Sequence, residues 1–216
     1  MLRRMIFGML TFALVAYGAV RADEEPTYKG PMTTSETAFV QSIQVDLVKR
    51  YPTAADAEKA GYIRYTNADE TGAISYANLQ WQSADAQHPS QLWYDKNGNL
   101  LGADFSVLNT PGSSRPQMFG VNPGRWYEFD DHVHYVLKDP KTGQMTYDKY
   151  VMADRFKASG GDPAHPTAQD LVKMGLAKNP ADVATVFDFP ALWDLIVWVK
   201  PNPDGAFAVK NPNVKP

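Results

Sequence analysis

Leu192-Trp193-Asp194-Leu195-Ile196-Val197-Trp198-Val199 runs straight into Lys200-Pro201-Asn202-Pro203-Asp204-Gly205-Ala206-Phe207. Side chains alternate across a strand, so Trp193, Leu195, Val197 and Val199 share one face and Ile196 and Trp198 the other. Both faces are apolar. Such a strand has to be covered on both sides and belongs in the interior of a sheet. The Asn-Pro pairs at 202–203 and 211–212 then turn the chain.

Working back from this strand, Pro190 closes a helical part. Asn179-Pro180 reads as N-cap and first residue of one short helix, and Thr167 with Asp170 three residues on as the start of another. Residues 158–166 are a Gly/Pro loop. Before it lies a hairpin, Trp126–Leu137 against Met145–Met152, turned by Asp139-Pro140-Lys141-Thr142-Gly143. Residues 109–125 form a long loop rich in Pro and Gly.

A second hairpin joins Gln91–Tyr94 to Asn99–Leu108 through Asp95-Lys96-Asn97-Gly98, whose Asn-Gly pair supplies the positive φ angles of a tight turn. Its second arm alternates, with Leu101, Ala103, Phe105 and Val107 expected inward and Asp104 and Ser106 outward. Ile74–Trp81 reads as a further strand. Towards the N-terminus, Thr53 and Asp56 open a short helix ended by Gly61. A longer helix is expected over 36–50, where Phe39, Ile43 and Leu47, with Val40 and Val48 beside them, make one stripe. The order predicts an α+β fold: a mainly antiparallel sheet, an N-terminal helix, and short helices before a central C-terminal strand. It is expected as one domain over 35–216, after a flexible lead-in at 23–34.

Residues 1–22 have the layout of an export signal: Arg3 and Arg4, an apolar run from Met5 to Val20, and small Val20 and Ala22 ahead of the expected cleavage point. The reading places the mature protein in the periplasm or outside the cell, not embedded in a membrane. The chain has no cysteine, which excludes thiol catalysis, thiolate metal sites and disulfide staples. Removing residues 1–22 takes away three arginines and no acidic residue, so the formal net charge moves from −3 to −6. With no cluster of Lys and Arg, nucleic acid is excluded as a partner.

The C-terminal stretch resembles the signature of a family of secreted bacterial proteins of unknown function, in which an Asp-Leu-His-Val-Trp strand precedes Pro-Asn-Pro-x-Gly-x-Phe and Asn-Pro-x-Val. The resemblance extends to Ala57-Glu58-Lys59-Ala60-Gly61-Tyr62 and to the Gln91–Asp95 and Gly98–Phe105 hairpin. Two histidines of that pattern are replaced here: Ser75-Tyr76-Ala77-Asn78 stands where the first strand carries one, and Ile196 stands for the other. The resemblance implies the fold and brings no activity with it.

Of four histidines, only His132 and His134 lie together, in Asp130-Asp131-His132-Val133-His134-Tyr135. On a strand Asp130, His132 and His134 share a face, and Val133, Tyr135 and Leu137 make the more apolar one. Imidazoles about 6–7 Å apart along a strand can converge on one ion. The expected ligands are His132 and His134 with Asp130 or His88, and the expected cofactor a divalent transition metal. Chance pairing on a solvated face is the plain alternative. Asp95-Lys96-Asn97-Gly98-Asn99 fails as a calcium loop, because Leu100 and Ser106 occupy the glycine and glutamate positions. No serine-nucleophile elbow, zinc-protease helix or phosphate loop is present. The sequence therefore points to an exported binding or accessory protein for a small ligand or metal ion. Its alternative is an enzyme using His132 or His134 as general acid/base with Asp130 or Asp131.

Overall fold

The structure, a computed structural model, describes residues 26–69, 71–81 and 85–215. The export signal expected at 1–22 lies outside the described residues. The elements are α1 (Thr34–Arg50), α2 (Ala54–Lys59), β1 (Ile63–Arg64), β2 (Ile74–Ala77), β3 (Gln91–Tyr94), β4 (Leu100–Leu108), β5 (Tyr127–Phe129), β6 (His132–Lys138), β7 (Met145–Met152), α3 (Ala153–Ala158), α4 (Ala168–Lys173), β8 (Val183–Phe189) and β9 (Leu192–Trp198). The fold is α+β, and its strands form two antiparallel sheets, ordered β1-β2-β3-β4-β9-β5 and β7-β6-β8.

β9 is interior to the larger sheet, between β4 and β5, and all seven of its residues are buried. One face of β4 and β9 carries Ala103, Phe105, Leu195 and Val197. Onto it packs the stripe of α1 made by Phe39, Val40, Ile43 and Leu47. Val48, expected beside that stripe, is exposed. α1 opens with a reciprocal cap between Thr33 and Glu36. The Glu36 carboxylate is buried and also pairs with the Arg125 Nε at 3.1 Å. Arg125 in turn donates to the Gly30 carbonyl at 2.8 Å, and Tyr28 N–H donates to the Gly124 carbonyl at 3.0 Å. The described part of the lead-in is thus tied to the chain rather than hanging free.

The second face of the larger sheet differs from the expectation. Asp104 and Ser106, expected outward, are both buried, because this face is covered too. Leu101 also joins it, packing with Trp93, Ile196 and Trp198, since a register shift at Trp93/Tyr94 inserts one extra residue in β4. The C-terminal segment closes over the same side: Trp198 Nε1 donates to the Ala208 carbonyl at 2.7 Å, and Asn211 Nδ2 donates to the carbonyls of Lys200 and Pro201 at 3.2 Å each.

The smaller sheet brings two corrections. Trp126–Leu137 is not one hairpin arm: β5 joins the larger sheet, the chain crosses at Asp130-Asp131, and only β6 pairs with β7. Residues 183–189, read as helical, are β8. Asn179-Pro180 opens a single 3₁₀ turn, after which Val183, Thr185, Val186 and Phe187 favour extended backbone and pair with β6. The caps at Thr53 and Thr167 and the turns ending at Gly98 and Gly143, both with positive φ, are as expected. On the outer face of β6, Val133 and Tyr135 pack with Phe156 of α3 and Leu171 of α4. The inner face looks towards the larger sheet.

Candidate functional site

β6 is the middle strand of its sheet, and its register sets His132 beside Phe189 and His134 beside Phe187 on β8. Each imidazole lies against its neighbour: His132 over Phe189 at 4.6 Å between centroids, His134 over Phe187 at 5.5 Å, both nearly parallel. Tyr65 meets His134 edge-on at 4.7 Å. The histidine face is therefore not the solvated one that its polarity suggested. His134 is 8% exposed and His132 half-buried.

Hydrogen bonds order this pair. His132 Nδ1 is 2.6 Å from the Asp130 carbonyl, which can only accept, so Nδ1 carries the proton. In the neutral ring His132 Nε2 is then an acceptor, and it lies 3.0 Å from His134 Nε2, which must donate. His134 Nδ1 is buried, and the Lys149 backbone, which favours the charged ring, bonds the same imidazole. Desolvation lowers the basicity of both rings. His134, with His132 beside it as a second cause, is pushed down to about 3, although the nearby Lys149 backbone slightly favours its charge. The pair is neutral at physiological pH.

Facing the imidazoles across a cavity of about 300 Å³ is the second face of the larger sheet. Gln91, Asp104 and Ile196 are consecutive cross-strand neighbours on β3, β4 and β9 and form part of its floor. Trp93 and Trp198 stand beside them with ring centroids 5.2 Å apart. Phe129 and Phe189 complete the aromatic wall, and Tyr65, Thr66, Asp69 and Thr71 border the cavity from the segment between β1 and β2. Asp69 is exposed, which puts it at the mouth.

Two carboxyls lie on this face of the sheet, of which Asp104 lines the cavity. Asp104 is 5% exposed and Asp194 fully buried, two positions apart diagonally on neighbouring strands. Burial, then the proximity of Asp194, raises the Asp104 pKa well above the carboxylate range; Trp93 opposes this by favouring the ionised form. Asp104 Oδ1 accepts no hydrogen bond. Gln91 Nε2 reaches Asp194 Oδ2 at 3.5 Å, and Gln91 Oε1 accepts from the Tyr65 hydroxyl. A polar chain thus runs under the cavity from Tyr65 to the carboxyl pair.

Of the expected ligands, His132 and His134 come together. Asp130 contributes its backbone carbonyl, as above. His88 is elsewhere, 2.5 Å from Asp85 and stacked on Trp81 at 4.2 Å. Asp131 pairs with Lys157 at 3.6 Å. Among the described residues no three His, Asp or Glu side chains form a cluster that could hold a metal. Asp104, Asp194, Gln91 and Tyr65 were missed. Two of them had a signal: an Asp inside an otherwise apolar strand is disfavoured unless the position has a use.

No helix among the described residues is long and apolar enough to cross a membrane. Comparison with family models, with curated proteins and with solved structures finds no match.

Proposed function

We propose that this chain is an exported binding protein that holds a small organic molecule in the cavity between its two sheets. The observation that carries this reading is that Asp104, whose buried Oδ1 accepts no hydrogen bond, lines an aromatic-walled cavity together with the buried His134. Buried polar groups are normally satisfied, and a cavity that holds an unsatisfied one among aromatic rings suits a ligand that satisfies it. At about 300 Å³ it is at the small end of ligand sites. Binding is favoured over acid/base catalysis by the histidine pair because a ring pushed down to about 3 is a poor proton acceptor at neutral pH.

One observation supports a metal ion as a second reading. The two Nε2 atoms are 3.0 Å apart, and two nitrogens bound to one zinc at ordinary bond lengths lie about 2.9–3.4 Å apart. The His132 Nδ1–H to Asp130 carbonyl bond is of the kind that orients a metal-binding imidazole.

Ser75 lines the cavity from a half-buried position, so Ser75→Leu should fill space without emptying the core. Fragments of up to about twelve non-hydrogen atoms, screened by ligand-detected NMR and titrated by tryptophan fluorescence, should include saturable binders that weaken at least tenfold in Ser75→Leu. Absence of any saturable binder, or equal binding by the variant, overturns the cavity reading. Zn²⁺ titrated into wild type and His132→Ala/His134→Ala separates the second reading: binding confined to wild type supports it, and equal or absent binding removes it.

A further inference from the structure

Resting on the cavity being a ligand site, we infer that its ligand is an organic ammonium ion, received by Asp104 inside a cage made by Trp93, Trp198, Phe129, Phe189 and Tyr65. Three observations converge. The first is charge. The acidic side chains lining the cavity are Asp104 in the floor and Asp69 at the mouth, and none of the described lining residues is a lysine or arginine. The second is the buried carboxyl itself: Asp104 is 5% exposed, and its Oδ1 has no hydrogen-bond donor. A buried carboxylate needs an opposite charge or several donors, and an ammonium group supplies both. The third is the wall. Aromatic faces attract a cation through their quadrupoles, most strongly when water is excluded, and indole is the best of them. Here two indoles tilt at 57° to one another beside the carboxyl.

The remaining titratable groups around the cavity fit this assignment. His132 and His134 are neutral, so they do not repel a cation. Tyr65 is held protonated by burial, with Asp104 as the second cause. Asp194, beside the floor on the same sheet face, raises Asp104 by its own negative charge; a cation above the floor would relieve that repulsion. An anionic ligand would meet two carboxyl groups and no cationic partner. A neutral ligand would offer Asp104 no opposite charge.

The experiment uses a charged and a neutral molecule of one shape: cyclohexylammonium and cyclohexanol, titrated calorimetrically into the full chain at pH 7.5 and low ionic strength. Cyclohexylammonium should bind once per chain, at least tenfold more tightly than cyclohexanol. Asp104→Asn should remove that preference. If cyclohexanol binds as well as or better than the ammonium ion, the ligand class is wrong and the cavity reading stands. If neither binds wild type, both fail. If Asp104→Asn keeps the ammonium preference, the assignment to Asp104 is overturned. The wild-type comparison decides the ligand class without a variant, so a misfolded Asp104→Asn leaves the inference testable.

Discussion

Burial is the largest cause of the shifts at His134 and Asp104. For His134 the sign is definite. Its folded pKa, about 3, lies below the ~6.5 of an unfolded imidazole, so acidification protonates the unfolded chain first. The stability that depends on a neutral His134 is complete above pH ~6.5 and lost as pH falls towards 3, by up to about 1.4 kcal/mol per pH unit. Asp104 works in the opposite direction. Its folded pKa is raised, so the stability that depends on a protonated Asp104 is full below the ~3.9 of an unfolded carboxyl and is lost as pH rises through the folded pKa. Wild type alone would mix the two. The difference between wild type and His134→Phe isolates the histidine: over pH 6.5 to 4.5 wild type should lose about 2–3 kcal/mol relative to the variant, read from denaturant midpoints. A difference that stays flat over this range would show that His134 reaches solvent.

Among the elements, β9 governs the rest. It is hydrogen-bonded to β4 along its length and to β5 over Leu192–Asp194, with α1 on one face and the cavity on the other. Trp198 is 2% exposed, lies against Trp93 and bonds the C-terminal segment through Nε1. Its cross-strand neighbour is Gly102, where a Cβ would sit 2.9 Å from the Val197 carbonyl oxygen and 3.1 Å from the Trp93 ring. Glycine lets the two indoles close over this point. Trp198→Ala should therefore cost about 3–5 kcal/mol by chemical denaturation. A loss below about 1 kcal/mol would mean that neither the aromatic wall nor the tail depends on this side chain.

At the scale of the whole molecule, two sheets meet across an aromatic-walled cavity, and the C-terminal segment closes one side. The chain ahead of Pro26 carries the export layout, which predicts a processed bond between Ala22 and Asp23. Intact-mass measurement of the exported protein should show a chain beginning at Asp23; a mature species that keeps Met1 overturns this reading. The net charge, −3 for the full sequence and −6 for a chain cleaved at that bond, is of the sign that favours approach of a cation to the cavity mouth, so binding of cyclohexylammonium should weaken as salt is added.

The sequence by itself determined what depends on neighbours along the chain. The caps at Thr53 and Thr167, the turns at Gly98 and Gly143, the stripe of α1 and the doubly apolar β9 are local patterns read over a few residues. His132 and His134 were legible as a pair for the same reason, since alternate strand residues share a face. What only the tertiary structure decided is which faces are covered. Burial of Asp104 and Ser106 needs the second sheet and the C-terminal segment on top of the first, and no local pattern states that an alternating strand has both faces enclosed. The crossing at Asp130-Asp131 and the extended 183–189 segment likewise depend on partners distant in sequence. The cavity joins Tyr65, Gln91, Asp104 and His134 from four separate parts of the chain. Its chemistry comes from desolvation, which is a property of the packed molecule and of no segment alone.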